Sequence, residues 1–138
     1  SIVAKVYRDL LMINLAKNSE KLSIVGDQFG CPTYAQDLAI AISSIIDSIN
    51  IIQIKSGIYH FCGDKVCSWY EFAQAIFSEA KLLGFSVPQK IEMTTSDIYN
   101  SSANRPKFSV LDCSKISSEF NISPSNWLQG INRAISML

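Results

Sequence analysis

Arg105 is the first residue whose setting suggests chemistry. It closes a polar loop and is pinned by Pro106, just ahead of the ordered-looking run Ser109-Val110-Leu111. A guanidinium held this way can fork onto a phosphate or a carboxylate. The plainer alternative is a solvated Arg, or one paired with Asp112. The second place is the loop Gly26-Asp-Gln-Phe-Gly-Cys-Pro-Thr33, which follows the β-branched run Ser23-Ile24-Val25. Gln28 can donate and accept hydrogen bonds without charge, Phe29 offers a flat apolar face, and Gly26 and Gly30 permit close backbone approach. A well-made turn that merely joins a strand to a helix has the same composition. The only histidine, His60, sits in Gly57-Ile-Tyr-His-Phe-Cys-Gly63 between aromatics. A partly buried, satisfied strand histidine is its ordinary reading, ahead of a catalytic base.

Several chemistries are absent from the sequence. There is no G-x-G-x-x-G and no G-x-x-x-x-G-K-[ST], so no phosphate cradle is encoded. Tyr7, Tyr34, Tyr59, Tyr70 and Tyr99 are not followed four residues later by Lys, and no Ser lies in G-x-S-x-G. Cys31, Cys62, Cys67 and Cys113 show no C-x-x-C spacing, and one His gives a zinc site little support. They read as reduced, buried small hydrophobes of a cytoplasmic protein. Twelve basic and twelve acidic residues cancel, with no charged stripe or tail, which argues against nucleic acid as partner. No apolar run approaches the ~18 residues that span a bilayer.

The elements that must hold these residues alternate between strand and helix. Val3, Val6, Leu10 and Ile13 predict a helix over 2–18. Residues 22–25 and 90–94 read as strands, as does 58–62. Thr33-x-x-Gln36 and Ser68-x-x-Glu71 are capping-box patterns opening helices to about 49 and to Gly84. Residues 95–106 read as loop and 109–111 as extended. Asp112 caps a short helix to Phe120, and Ser123-Pro124 opens the last one. The class is α/β, with short, mostly parallel strands. At 138 residues the chain is one domain's length, yet only 17% of it is charged, against the usual ~25%. Some of its surface is expected to be covered by something else. Ser1 runs into a helical pattern with no Met and no cap, which reads as a start in mid-protein; processing or a cloning cut would look the same.

Four stretches resemble one family. DQFGCPTYAQDLA (27–39), GIYHFCG (57–63) with SWYEFAQAI (68–76), and RPKFSVLDCSK (105–115) are similar, in order, to motifs of the dTDP-4-dehydrorhamnose reductases, and Trp127 at the last helix also fits. These are extended short-chain dehydrogenases with a Rossmann-like fold. The resemblance implies that 1–138 is a single substrate-binding-type domain, the C-terminal portion of a larger reductase. The glycine-rich NADPH loop and the Tyr-x-x-x-Lys pair would then lie in a missing N-terminal half, so this chain would hold no catalytic pair and be inactive alone. The parent would reduce the C4 keto group of dTDP-4-dehydro-L-rhamnose in dTDP-rhamnose biosynthesis, for surface polysaccharide. In the family the loop after the first strand borders the nucleotide-sugar pocket. Gln28, Phe29, Gly30, Pro32 and Thr33 are therefore expected to shape that pocket and Arg105 to neutralise the diphosphate. Cys31 departs from the usual small residue or Ser, and a thiol is the weaker hydrogen-bond donor. The choice between NADPH and NADH stays open, as do a Mg2+ ion at a subunit contact and a homodimer. The rival expectation is a non-catalytic member of the same extended family, akin to the regulatory subunit of methionine adenosyltransferase. A third is a free-standing α/β binding module.

Overall fold

Strand β1, Lys21–Val25, pairs in parallel with β4, Lys90–Thr94, in the register Lys21↔Lys90 through Val25↔Thr94. Both strands follow the sequence expectation. The backbone amide of Gly26 donates to the Thr94 carbonyl at 2.9 Å and ends the ladder. The computed structural model describes residues 21–48, 56–99 and 103–137; the helix expected over 2–18 and the end of the next one at Ile49 lie outside them.

Beyond Gly26 the chain forms the two-residue β2, Phe29–Gly30, antiparallel to β3, Cys67–Ser68. Phe29 also bridges Phe108 in parallel. The Phe29 amide donates to the Lys107 carbonyl at 2.8 Å, and the Ser109 amide donates back to the Phe29 carbonyl at 2.9 Å. The 26–33 loop is thus held between two segments distant in sequence.

Helix α1 is Ala35–Ser48 and helix α2 is Trp69–Leu82. Only α2 opens with the expected box. Ser68 Oγ accepts from the Glu71 amide at 3.1 Å, while the Glu71 carboxylate accepts from the Ser68 amide at 2.7 Å. Beyond its last turn Gly84 takes φ +81, the left-handed backbone expected of a closing glycine. The Thr33 box does not form. Its hydroxyl donates to the Cys31 carbonyl at 3.2 Å, and the first helical turn closes from the Leu38 amide onto Tyr34.

Three further expectations are corrected. Residues 58–62 form no ladder with any described strand: Tyr59 and Phe61 turn inward, but Ile58 and His60 are exposed. The alternation there reports one buried face, and a strand also needs a neighbour. His60 is accordingly a surface residue. The 95–106 loop contains a single helical turn, α3, Ser96–Tyr99. The last helix, α5, spans Trp127–Ile135 and is capped by Asn126, three residues after Ser123. Ser125 is bridged to Gly63, and its carbonyl accepts from the Asp64 amide at 2.8 Å, so the backbone is committed to pairing until 126. Between α3 and α5, helix α4 covers Ser114–Phe120; its N-cap position is Cys113, one residue beyond the expected Asp112, whose Oδ1 still accepts from the first helical amide at 2.9 Å. Residues 109–111 carry no strand pairing, the bridge falling one residue earlier, at Phe108.

Two apolar clusters result. In the larger, Phe72, Ala73, Ile76, Phe77 and Ala80 of α2 meet Trp127, Ile131 and Ile135 of α5 and Ile24 of β1. Phe72 sits edge-on to Trp127 with ring centres 5.7 Å apart. In the smaller, Cys62, Cys113 and Ile116 are buried beneath Cys31, Tyr59, Phe61 and Phe120.

Candidate functional site

A hollow of about 190 Å³ opens where the two clusters meet. One wall is Gly30–Thr33, leaving β2. Cys62 forms the second, and Cys67, Ser68, Trp69 and Phe72, at the β3–α2 junction, the third. Ser109 and Leu111 close it. Each of the four sequence stretches singled out above contributes to this lining. The wall is mixed: aromatic faces, thiols and small hydroxyls, without a carboxylate or a cation. Such a surface suits binding a partly polar ligand by shape and neutral hydrogen bonds. Among the described residues no three His, Cys, Asp or Glu side chains converge as a metal-binding set.

Of the residues singled out in the sequence, Gly30, Pro32 and Thr33 line the hollow. Gln28, Phe29 and Arg105 do not. Gln28 is 8% exposed, and its Nε2 donates to Ser96 Oγ at 2.9 Å, tying the loop to α3. Its carbonyl accepts from the Trp69 amide at 3.3 Å. Phe29, 39% exposed, lies at the surface beside Phe108. Arg105 is exposed and takes no part in the four ion pairs among the described residues. The alternative pairing with Asp112 is not among those four. The Phe29↔Phe108 bridge does bring the backbone of the Arg105 segment beside the loop. Cys62, Cys67, Trp69, Phe72, Ser109 and Leu111 were not singled out as pocket residues; nothing local distinguishes a wall residue from a core residue, because the hollow forms only when four distant segments meet.

The loop is braced electrostatically from behind. Asp27 Oδ1 accepts from the Ser96 hydroxyl at 2.8 Å and the Ser96 amide at 2.9 Å, with Lys107 Nζ at 3.7 Å from its other oxygen. The Ser96 hydroxyl beside it holds the Asp27 carboxyl below the usual carboxylate range. In the first turn of α1, Asp37 pairs with Arg133 at 2.7 Å, and that guanidinium lies over the Tyr34 ring.

Comparison with known proteins gives this arrangement its relatives. The chain is 44% identical over 124 residues to the dTDP-4-dehydrorhamnose reductase of Aggregatibacter actinomycetemcomitans, covering 87% of this chain and 42% of that one. It is 37% identical over 120 residues to the spore coat polysaccharide biosynthesis protein SpsK of Bacillus subtilis, covering 87% and 38%. Among solved structures, the Bacillus anthracis dTDP-4-dehydrorhamnose reductase in complex with NADP superposes with a TM-score of 0.79 at 31% identity, over 94% of this chain and 43% of that one. The Clostridium acetobutylicum reductase gives 0.79 at 32%, over 94% and 42%. These neighbours share the Rossmann-like extended short-chain dehydrogenase fold, and the chain spans about 42% of the length of its first relative. The family model described as the RmlD substrate binding domain matches residues 9–138, essentially every element that builds the hollow, and it is to this family that the chain belongs.

Proposed function

We propose that this chain is the substrate-holding portion of a dTDP-4-dehydrorhamnose reductase, an NADPH-dependent oxidoreductase acting on the C4 keto group of dTDP-4-dehydro-L-rhamnose. The observation that carries the reading is the convergence of four segments, each from a stretch resembling the reductases, on one hollow. The identity to the Aggregatibacter reductase supports the substrate, and the NADP complex of the Bacillus anthracis neighbour supports the cofactor.

The residues here do not fit a dinucleotide. There is no glycine-rich phosphate loop in the sequence. The two loop glycines are packed against side chains: a Cβ on Gly26 would lie 2.5 Å from Met93 Cγ, and one on Gly30 would lie 3.0 Å from Ser109 Oγ. The Tyr-x-x-x-Lys pair is likewise absent. In this reading the chain is one domain that binds and orients the sugar nucleotide, and the cofactor and proton donor belong to another part of the protein. The Thr33 and Ser109 hydroxyls, which donate to the Cys31 and Phe29 carbonyls, keep lone pairs to accept from sugar hydroxyls, and Trp69 and Phe72 give the sugar apolar faces. Gln28 and Asp27 hold the loop from behind. Arg105, unpaired beside the loop, is free to meet the diphosphate.

The test is kinetic. The full-length protein, given dTDP-4-dehydro-L-rhamnose, is expected to consume NADPH, while the 138-residue chain alone consumes none. Arg105→Ala is expected to raise KM by about ten-fold or more with kcat little changed, the loss of one charge-assisted contact made equally in ground and transition states. Failure of the full-length protein to turn over would overturn the substrate. Turnover by the isolated chain would overturn the division of labour.

A further inference from the structure

Three of the four cysteines gather at one place. Cys62 Sγ lies 3.5 Å from Cys113 Sγ, though the two residues are 51 apart in sequence. Both thiols also approach the Leu111 carbonyl, at 3.7 and 3.9 Å. Cys31 packs against the same cluster, within interaction range of the Cys62 thiol, and with Cys62 it lines the hollow. Cys62 and Cys113 are buried, whereas Cys31 is half-buried. Cys67 also lines the hollow but packs in the other cluster, with α2 and α5.

We propose that Cys31, Cys62 and Cys113 form a reversible oxidation site that takes a hydroperoxide and ends as a Cys62–Cys113 disulfide. The hollow gives the oxidant a way in at Cys31. The Cys31 sulfur attacks the terminal peroxide oxygen, the O–O bond breaks, and Cys31 becomes a sulfenic acid as the peroxide is reduced to an alcohol or water. The Cys62 sulfur then attacks the Cys31 sulfur. The hydroxyl leaves as water with the Cys62 proton, forming a Cys31–Cys62 disulfide. Cys113 attacks Cys62 in turn, passes its proton to the departing Cys31 thiolate, and leaves the Cys62–Cys113 bond. Two electrons go from the thiol pair to the peroxide, and a dithiol reductant returns them.

The geometry favours this chemistry over a metal site. The two buried sulfurs need to close from 3.5 Å to the ~2.05 Å of a disulfide, while the described residues supply no metal-binding set. Cys31 is the least buried of the three and faces the hollow, so first attack falls to it, while burial pushes the Cys62 and Cys113 thiols up.

The experiment reads the covalent state of the full-length protein, so it stands whether or not the reductase reading does. The protein is treated with hydrogen peroxide, alkylated and digested without reductant, and its peptides are weighed. The expected product is a Cys62–Cys113 cross-linked peptide lighter by two hydrogens than its parts, with Cys67 still alkylated and the link reversed by dithiothreitol. Cys113→Ser is expected to stop the sequence at Cys31–Cys62. Four alkylated cysteines after treatment would overturn the proposal. So would Cys31 carried on to sulfinic acid with Cys62 and Cys113 untouched, or a disulfide found only between chains. The wild-type measurement decides even if a serine variant fails to fold.

Discussion

Ser68 joins structure and site in one side chain. It is 2% exposed, caps α2 and lines the hollow. Its hydroxyl accepts from the Glu71 amide at 3.1 Å and donates to the Glu71 carboxylate at 2.9 Å. Ser68→Ala is expected to cost about 1 kcal/mol of stability in urea unfolding at neutral pH, the usual loss for an N-cap. The hydrogen bonds from the Ser68 amide and hydroxyl hold the Glu71 carboxyl below its ordinary 4.5. A depressed carboxyl stabilises the fold above that value and loses its contribution as pH falls through the lowered one. The gap between wild type and variant is therefore expected to narrow in acid. A gap that stays constant down to strongly acidic pH would mean that the Glu71 carboxylate takes no part. The same four-residue pattern at Thr33 shows where local reading fails. Ser68-x-x-Glu71 is legible because donor, acceptor and helix start all lie within four residues. Thr33 spends its hydroxyl on Cys31, inside a loop whose shape is set by Lys107 and Ser109 far along the chain. Gln28 likewise reads as a ligand group from its type, but its partner Ser96 is 68 residues away.

At the scale of elements, close approaches set the geometry. Gly63 is buried where 62–64 pairs with Ser125, and an added Cβ would fall 2.1 Å from the Pro32 carbonyl oxygen and 3.2 Å from Trp127 Cβ. Neither neighbour is a flexible side-chain end. Gly63→Ala must push the Pro32 wall or the start of α5 aside, at about 2 kcal/mol or more. Gly84→Ala meets nothing within 4 Å, and its penalty comes only from φ +81, about 1 kcal/mol. Thermal unfolding of the two variants should rank them in that order; equal losses would show that 62–64 can relax. The parallel pair β1–β4, helix α2 and its glycine stop are legible from periodicity and caps. The start of α5 is not, because the bridge from Ser125 to Gly63 overrides the Ser123-Pro124 signal. The 58–62 segment misleads in the opposite way, having a strand's alternation without a strand partner among the described residues.

For the whole molecule, the low charge content implies surface intended for cover, and α1 presents it. Ile40, Ile42 and Ile46 are 54%, 49% and 58% exposed, on a helix whose inward face buries Ala41 and the ion-paired Asp37. Among the described residues β1 and β4 pair only with each other, so each also has an open edge. Neither feature suits a chain living alone, and this chain spans about 42% of the length of its first relative. The 138-residue chain expressed by itself is therefore expected to self-associate, with a light-scattering mass that rises with concentration. Two routes lead there, and one variant separates them. Ile42→Glu with Ile46→Glu places charges on the outer α1 face without touching a buried residue, so the unfolding temperature should hold. If the α1 face drives association, the double variant returns the mass toward that of a monomer. If the open sheet edges drive it, the mass stays high and only charges placed on β1 or β4 lower it. A wild-type chain that scatters as a monomer at high concentration would show that neither surface needs a partner, and the exposed isoleucines would then be ordinary surface residues.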